Sequence, residues 1–106
     1  MTQKFRKWDE YQLEGLTDPE AALAYLEVAI EEYQNDGDKA AFLLALRFVV
    51  NAQGGIGKLA ERTKLDRKHL YKALSAKGNP RLDTLGRILN GIGFQLSVER
   101  LKLEHS

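Results

Sequence analysis

Ile56-Gly57-Lys58-Leu59-Ala60-Glu61-Arg62-Thr63-Lys64-Leu65-Asp66-Arg67-Lys68-His69-Leu70-Tyr71-Lys72-Ala73-Leu74-Ser75 holds two short helical patterns back to back. In the first, Ile56 to Thr63, Leu59 and Ala60 turn inward. In the second, Arg67 to Ala76, Leu70, Ala73 and Leu74 do so. Lys64-Leu65-Asp66 is a tight connection, in which Leu65 plugs the turn and Asp66 stands at the next N-cap. A small residue, Ala60, sits where the two helices cross closely. Together these features make residues 56–75 the layout of a helix-turn-helix. Such a turn often carries Gly at a position tending to φ > 0; this chain has Lys64 there, which implies mild strain or a different turn.

That packing leaves one face of the second helix outward, carrying Arg67, Lys68, Tyr71 and Lys72. Cationic and hydrogen-bonding side chains of this kind suit base edges in the major groove of double-stranded DNA, so these four are the expected base contacts. Lys58, Arg62, Lys64, Ser75, Lys77, Asn79 and Arg81 flank the motif and are the expected phosphate contacts. Backbone amides at the start of the following helix, near Leu82, offer a further phosphate position. His69 reads as a surface residue rather than a ligand or an acid–base group.

Working outward, Thr17-Asp18-Pro19-Glu20 reads as a helix start: Asp18 caps, Pro19 suits the first position and Glu20 favours the positive end of the dipole. Leu23, Leu26, Ile30 and Tyr33 recur at helical spacing until Asn35-Asp36-Gly37 stops the helix. Asp38 caps a second helix, Ala40 to Val50, apolar on nearly all sides and so expected at the centre. Its one charge, Arg47, is expected to snorkel or to pair with an acid such as Glu31. Gly54-Gly55 ends it. After the motif, Lys77-Gly78-Asn79-Pro80 is a loop. A last helix then runs from Leu82 to Ile92 along Leu82, Leu85, Ile88, Leu89 and Ile92.

Phe94-Gln95-Leu96-Ser97-Val98-Glu99 alternates apolar and polar and predicts a short C-terminal strand at about 94–99. Its backbone donors and acceptors need a partner. Two copies pairing across a two-fold axis through Phe94, Leu96 and Val98 would supply one and make a homodimer. The N-terminal arm, or the sheet edge of another protein, would also serve. The expected organisation is an N-terminal arm over residues 1–17, with Trp8 among its anchors, and a single all-α domain of about five helices over 18–106.

Composition limits the function classes. The 106 residues contain no cysteine and two histidines, which argues against thiolate chemistry and His-rich metal sites. No apolar run approaches the ~20 residues of a membrane span and no signal peptide opens the chain, so a cytoplasmic protein is expected. The net charge of +1 hides an asymmetry: residues 1–53 hold five Lys/Arg and ten Asp/Glu, residues 54–106 eleven and five. A basic half can meet a polyanion and an acidic half a basic protein. No carboxylate pair, Gly-rich phosphate cradle or nucleophile–base set stands out, so an enzyme, a metal and a cofactor are not expected.

From about Tyr11 to Val98 the chain resembles the HigA-like probable addiction module antidotes, a group of antitoxins. The resemblance runs through Leu16-Thr17-Asp18-Pro19-Glu20, Phe42-Leu43-Leu44-Ala45-Leu46, Leu59-Ala60-Glu61-Arg62-Thr63 and Gly93-Phe94-Gln95-Leu96-Ser97-Val98. Its most specific pieces are Leu70-Tyr71-Lys72-Ala73-Leu74 and Gly78-Asn79-Pro80-Arg81. The departures are Lys64 in place of the usual Gly, and Asp66-Arg67-Lys68 where Ser-Arg-Glu is common. The resemblance implies a lambda-repressor-like DNA-binding domain, partnership with a small basic RelE/HigB-type toxin, and repression of the shared operon. Against it stand a stand-alone phage-type repressor without a toxin, and an interaction module whose helix-turn-helix is only architectural.

Overall fold

The computed structural model describes residues 15–101. Five helices carry them: α1 Pro19–Asp36, α2 Lys39–Ala52, α3 Gly55–Thr63, α4 Arg67–Ala73 and α5 Leu82–Gly91. The all-α expectation holds over these residues. The arm anchors Phe5, Trp8, Tyr11 and Leu13, and the tail beyond Leu101, lie outside them.

Local chemistry sets the helix limits. The Asp18 carboxylate accepts a 3.2 Å bond from the Ala21 amide, and Pro19 occupies the start of α1. Gly37, at φ 73, ends α1 and returns its N–H to the Tyr33 carbonyl at 2.7 Å. Asp38 caps α2 through the Ala41 amide at 3.1 Å. Gly54 at φ 121 and Gly55 at φ 90 then let α3 leave α2 at 90°.

α2 is the central helix. It buries Leu43, Ala45, Leu46, Val49 and Val50. Around it pack Leu26 of α1, Ile56 and Leu59 of α3, Leu70 and Ala73 of α4, and Ile88 and Leu89 of α5. Removing a side chain such as Leu46 or Leu70 from water contributes about 1.5–3 kcal/mol. Leu16, ahead of α1, joins this core, and its carbonyl accepts a 2.8 Å bond from the Gln53 side chain. Among the described residues no single helix is long and apolar enough to cross a membrane.

Four expectations are corrected. No strand forms at 94–99 among the described residues: the Phe94 amide instead bonds the Leu89 carbonyl at 2.8 Å, and a strand needs a ladder partner that the described chain does not supply. α4 ends at Ala73 rather than Ala76, because Leu74 leaves the helix and the chain folds back through Ser75 to Gly78. Leu82 is 74% exposed, since α5 starts at the surface and its core stripe begins a turn later. Of the two expectations for Arg47, pairing with an acid is not seen among the described residues; its guanidinium donates to the Leu74 carbonyl at 2.8 Å.

Candidate nucleic-acid interface

The rotation of α4 is set by its apolar residues. Leu70 and Leu74 are fully buried and Ala73 nearly so, which turns Arg67, Lys68, Tyr71 and Lys72 to the exterior. Tyr71 is 61% exposed, an outward rather than a packing tyrosine. His69 is exposed as well. The turn between α3 and α4 is made by Lys64 at φ 62, left-handed as the pattern requires, with its N–H on the Ala60 carbonyl at 2.9 Å. Asp66 stands at the N-cap of α4 but its side chain makes no capping bond.

The expected base contacts are not equivalent. A Cβ added at Gly57 of α3 would meet the Arg67 guanidinium at 3.0 Å, so Arg67 lies back over α3. Lys68 and Lys72 instead line an open groove of about 680 Å3 between α4 and the 77–81 loop. Lys77, Asn79 and Arg81 line its other wall. The loop is drawn tightly onto α4: Gly78 is buried, and a Cβ there would strike the Ala73 and Lys72 carbonyls. Only Gly fits this close approach.

Of the expected phosphate contacts, Lys58, Lys64, Lys77 and Arg81 are exposed. Ser75 donates its hydroxyl to the Lys72 carbonyl at 2.9 Å. Arg62 reaches the Gly91 carbonyl at 3.0 Å, on the α5 side of α3. At the start of α5 the Thr84 amide is taken by the Asp83 carboxylate at 2.7 Å, and that carboxylate also lies 3.8 Å from Arg81 Nε. An acid therefore stands where a phosphate was expected near Leu82. Among the described residues no group of three or more His, Cys, Asp or Glu is placed to hold a metal ion.

The family model described as "Probable addiction module antidote protein" matches residues 6–100. The chain belongs to this antidote family. An uncharacterized protein of Haemophilus influenzae is 26% identical over 100 residues, which span 94% of this chain and 96% of that one. No solved structure matches. Membership implies a toxin partner in general terms.

Two features of this antidote escape sequence reading. Lys39 Nζ donates to Asn79 Oδ1 at 3.0 Å, bringing a further cation from the start of α2 to the loop beside α4. Helix-end carbonyls are held by arginines from other helices: Leu74 by Arg47, Gly91 by Arg62 and Thr63 by Arg87. Only the residue types signalled either, since each pair is 24 or more positions apart in the chain. The expected dimer residues separate: Phe94 packs on the core, Leu96 is 45% exposed and Val98 is 96% exposed.

Proposed function

We propose that this antidote is a HigA-like, DNA-binding antitoxin that neutralises a RelE/HigB-type toxin in the cytoplasm and represses its own operon. In this reading α3, the turn at 64–66 and α4 act as a lambda-repressor-like helix-turn-helix. The observation that carries it is the outward face of α4: Lys68, Tyr71 and Lys72 lie over a buried Leu70–Leu74 seam, beside a groove walled by Lys77 and Arg81. Lys68, Tyr71 and Lys72, joined by Arg67 when its guanidinium swings off Gly57, would read base edges. Lys58, Lys64, Lys77 and Arg81 would hold phosphates, and Lys39 would steady Asn79 among them. Two chains would place two α4 helices about 34 Å apart on a palindrome. An antidote family supports a regulatory protein rather than an enzyme.

The test has two arms. The first titrates the protein against duplex DNA from upstream of its own gene at several salt concentrations. Tight, sequence-selective and steeply salt-dependent binding is expected. The second expresses the adjoining reading frame with and without this protein and follows growth. Arrest alone and recovery together is the expected outcome. A harmless neighbour together with selective DNA binding would leave a stand-alone repressor. Growth rescue without DNA binding would leave an interaction module.

A further inference from the structure

α1 packs on the core through Ala22, Tyr25 and Leu26, and leaves Leu23, Glu27 and Val28 exposed. Leu23, 43% exposed, lies on one wall of a groove of about 630 Å3 whose opposite wall is Gly93, Phe94, Gln95 and Ser97. Phe94 supplies an aromatic flank packed on the core, and Asn90, Gln95 and Ser97 supply amide and hydroxyl groups. Beyond Phe94, no backbone N–H or C=O of residues 95–101 makes a hydrogen bond among the described residues. The groove therefore sets two apolar side chains, Leu23 and Phe94, beside an open run of backbone donors and acceptors.

Its electrostatic surroundings are of one sign on the α1 side. Glu20 and Glu27 lie one helical turn either side of Leu23, both exposed, and α1 has no Lys or Arg from Pro19 to Asp36. An apolar anchor point, unpaired backbone and flanking carboxylates suit one occupant: an extended protein segment that carries cations and adds its own backbone along residues 95–98. α1 makes its substantial helix contact with α2 and none of note with α4. No residue lining this groove lies on α4 or in the 77–81 loop.

We propose that the groove between α1 and residues 93–97 is the toxin-docking surface of this antidote, and that it takes an extended basic segment of the toxin. This rests on the toxin-partner reading above. The probe is the purified product of the adjoining reading frame, titrated against the full chain and three variants. Leu23→Lys, on an exposed side chain, removes the apolar contact and repels a basic segment; Kd is expected to rise about tenfold or more. Glu27→Lys is expected to act in the same direction. Val28→Lys adds the same charge to an exposed position of the same helix, about 140° around from Leu23, and is expected to change Kd much less. Binding of duplex DNA serves as the fold control and is expected to persist in all three.

Several results overturn the proposal. If Leu23→Lys binds the probe as tightly as the parent, the groove is not the docking surface, although the toxin partnership stands. If Val28→Lys weakens binding as much as Leu23→Lys, helix charge rather than the groove is responsible. If Leu23→Lys turns a dimer into a monomer without touching probe binding, a second copy of this chain occupies the groove. If the parent protein does not bind the probe at all, the toxin partnership fails and this assignment fails with it.

Discussion

The Arg47 guanidinium donates a 2.8 Å hydrogen bond to the Leu74 carbonyl, tying the middle of α2 to the C-terminal end of α4. The last carbonyls of a helix have no intrahelical partner, and a cation there meets the negative end of the dipole. α4 is seven residues long, too short to be stable alone, so its orientation depends on such ties and on Leu70 and Leu74 beneath it. Arg47→Met keeps most of the stem and loses the bond. A loss of about 1–3 kcal/mol is expected, read as a drop in Tm of roughly 4–8 °C per kcal/mol for a domain of this size. An unchanged thermal melt by circular dichroism would remove Arg47 from this role.

Lys64 is the one non-glycine residue with positive φ among those described. A side chain in the left-handed region costs roughly 1–2 kcal/mol, and part of that returns when Gly replaces it at a helix C-terminus. Lys64→Gly is expected to stabilise the protein by about 1 kcal/mol in urea titration. The same change removes a cation from beside α4. DNA binding should therefore weaken while stability rises, a divergence that a purely structural lysine would not produce.

Much of this fold was legible because its causes are local. Asp18, Pro19, Gly37 and Asp38 act within one turn of their own positions, and each does so as the sequence suggests. The left-handed Lys64 was readable as a departure from glycine. What escaped depends on which distant segments meet. Among the described residues Arg47 meets no acid, because the end of α4 presents it a carbonyl, and Lys39 finds Asn79 only once the 77–81 loop has folded back on Gly78. The alternation of 94–99 was real, yet period alone names no ladder partner. Leu82 matches the helical spacing but stands where the helix has not yet reached the core.

Phosphate contacts carry no base preference, so their removal should weaken every sequence alike. Lys77→Gln and Arg81→Gln are each expected to lower the slope of log K against log salt by about 0.9, with relative affinities for operator and unrelated DNA unchanged. Lys68→Ala should instead cost about 1–3 kcal/mol at a single base pair. Asp83→Asn gives the opposite sign. It removes the carboxylate 3.8 Å from Arg81 while leaving an oxygen for the Thr84 amide, so DNA binding at low salt should tighten. Anisotropy titrations on two duplexes at four salt concentrations separate these outcomes.

α3 and α5 clamp each other's ends. Arg62 of α3 holds the Gly91 carbonyl of α5 at 3.0 Å, and Arg87 of α5 holds the Thr63 carbonyl of α3 at 2.6 Å. Between these ties the helices pack so closely that a Cβ at Gly91 would press on Leu59 and Thr63. Arg62 was expected from sequence to face phosphates, and the clamp offers it a different task. The two roles separate in one pair of measurements. As a clamp, Arg62→Ala lowers stability by about 0.5–1.5 kcal/mol and leaves the salt slope of DNA binding untouched; as a phosphate contact it does the reverse. The clamp outcome is expected. Arg87→Ala should destabilise by a similar amount, and because both arginines hold one helix pair, the double variant should lose less than the two losses added. Simple additivity would mean that the two ties act independently and that the close approach at Gly91 holds the helices without them.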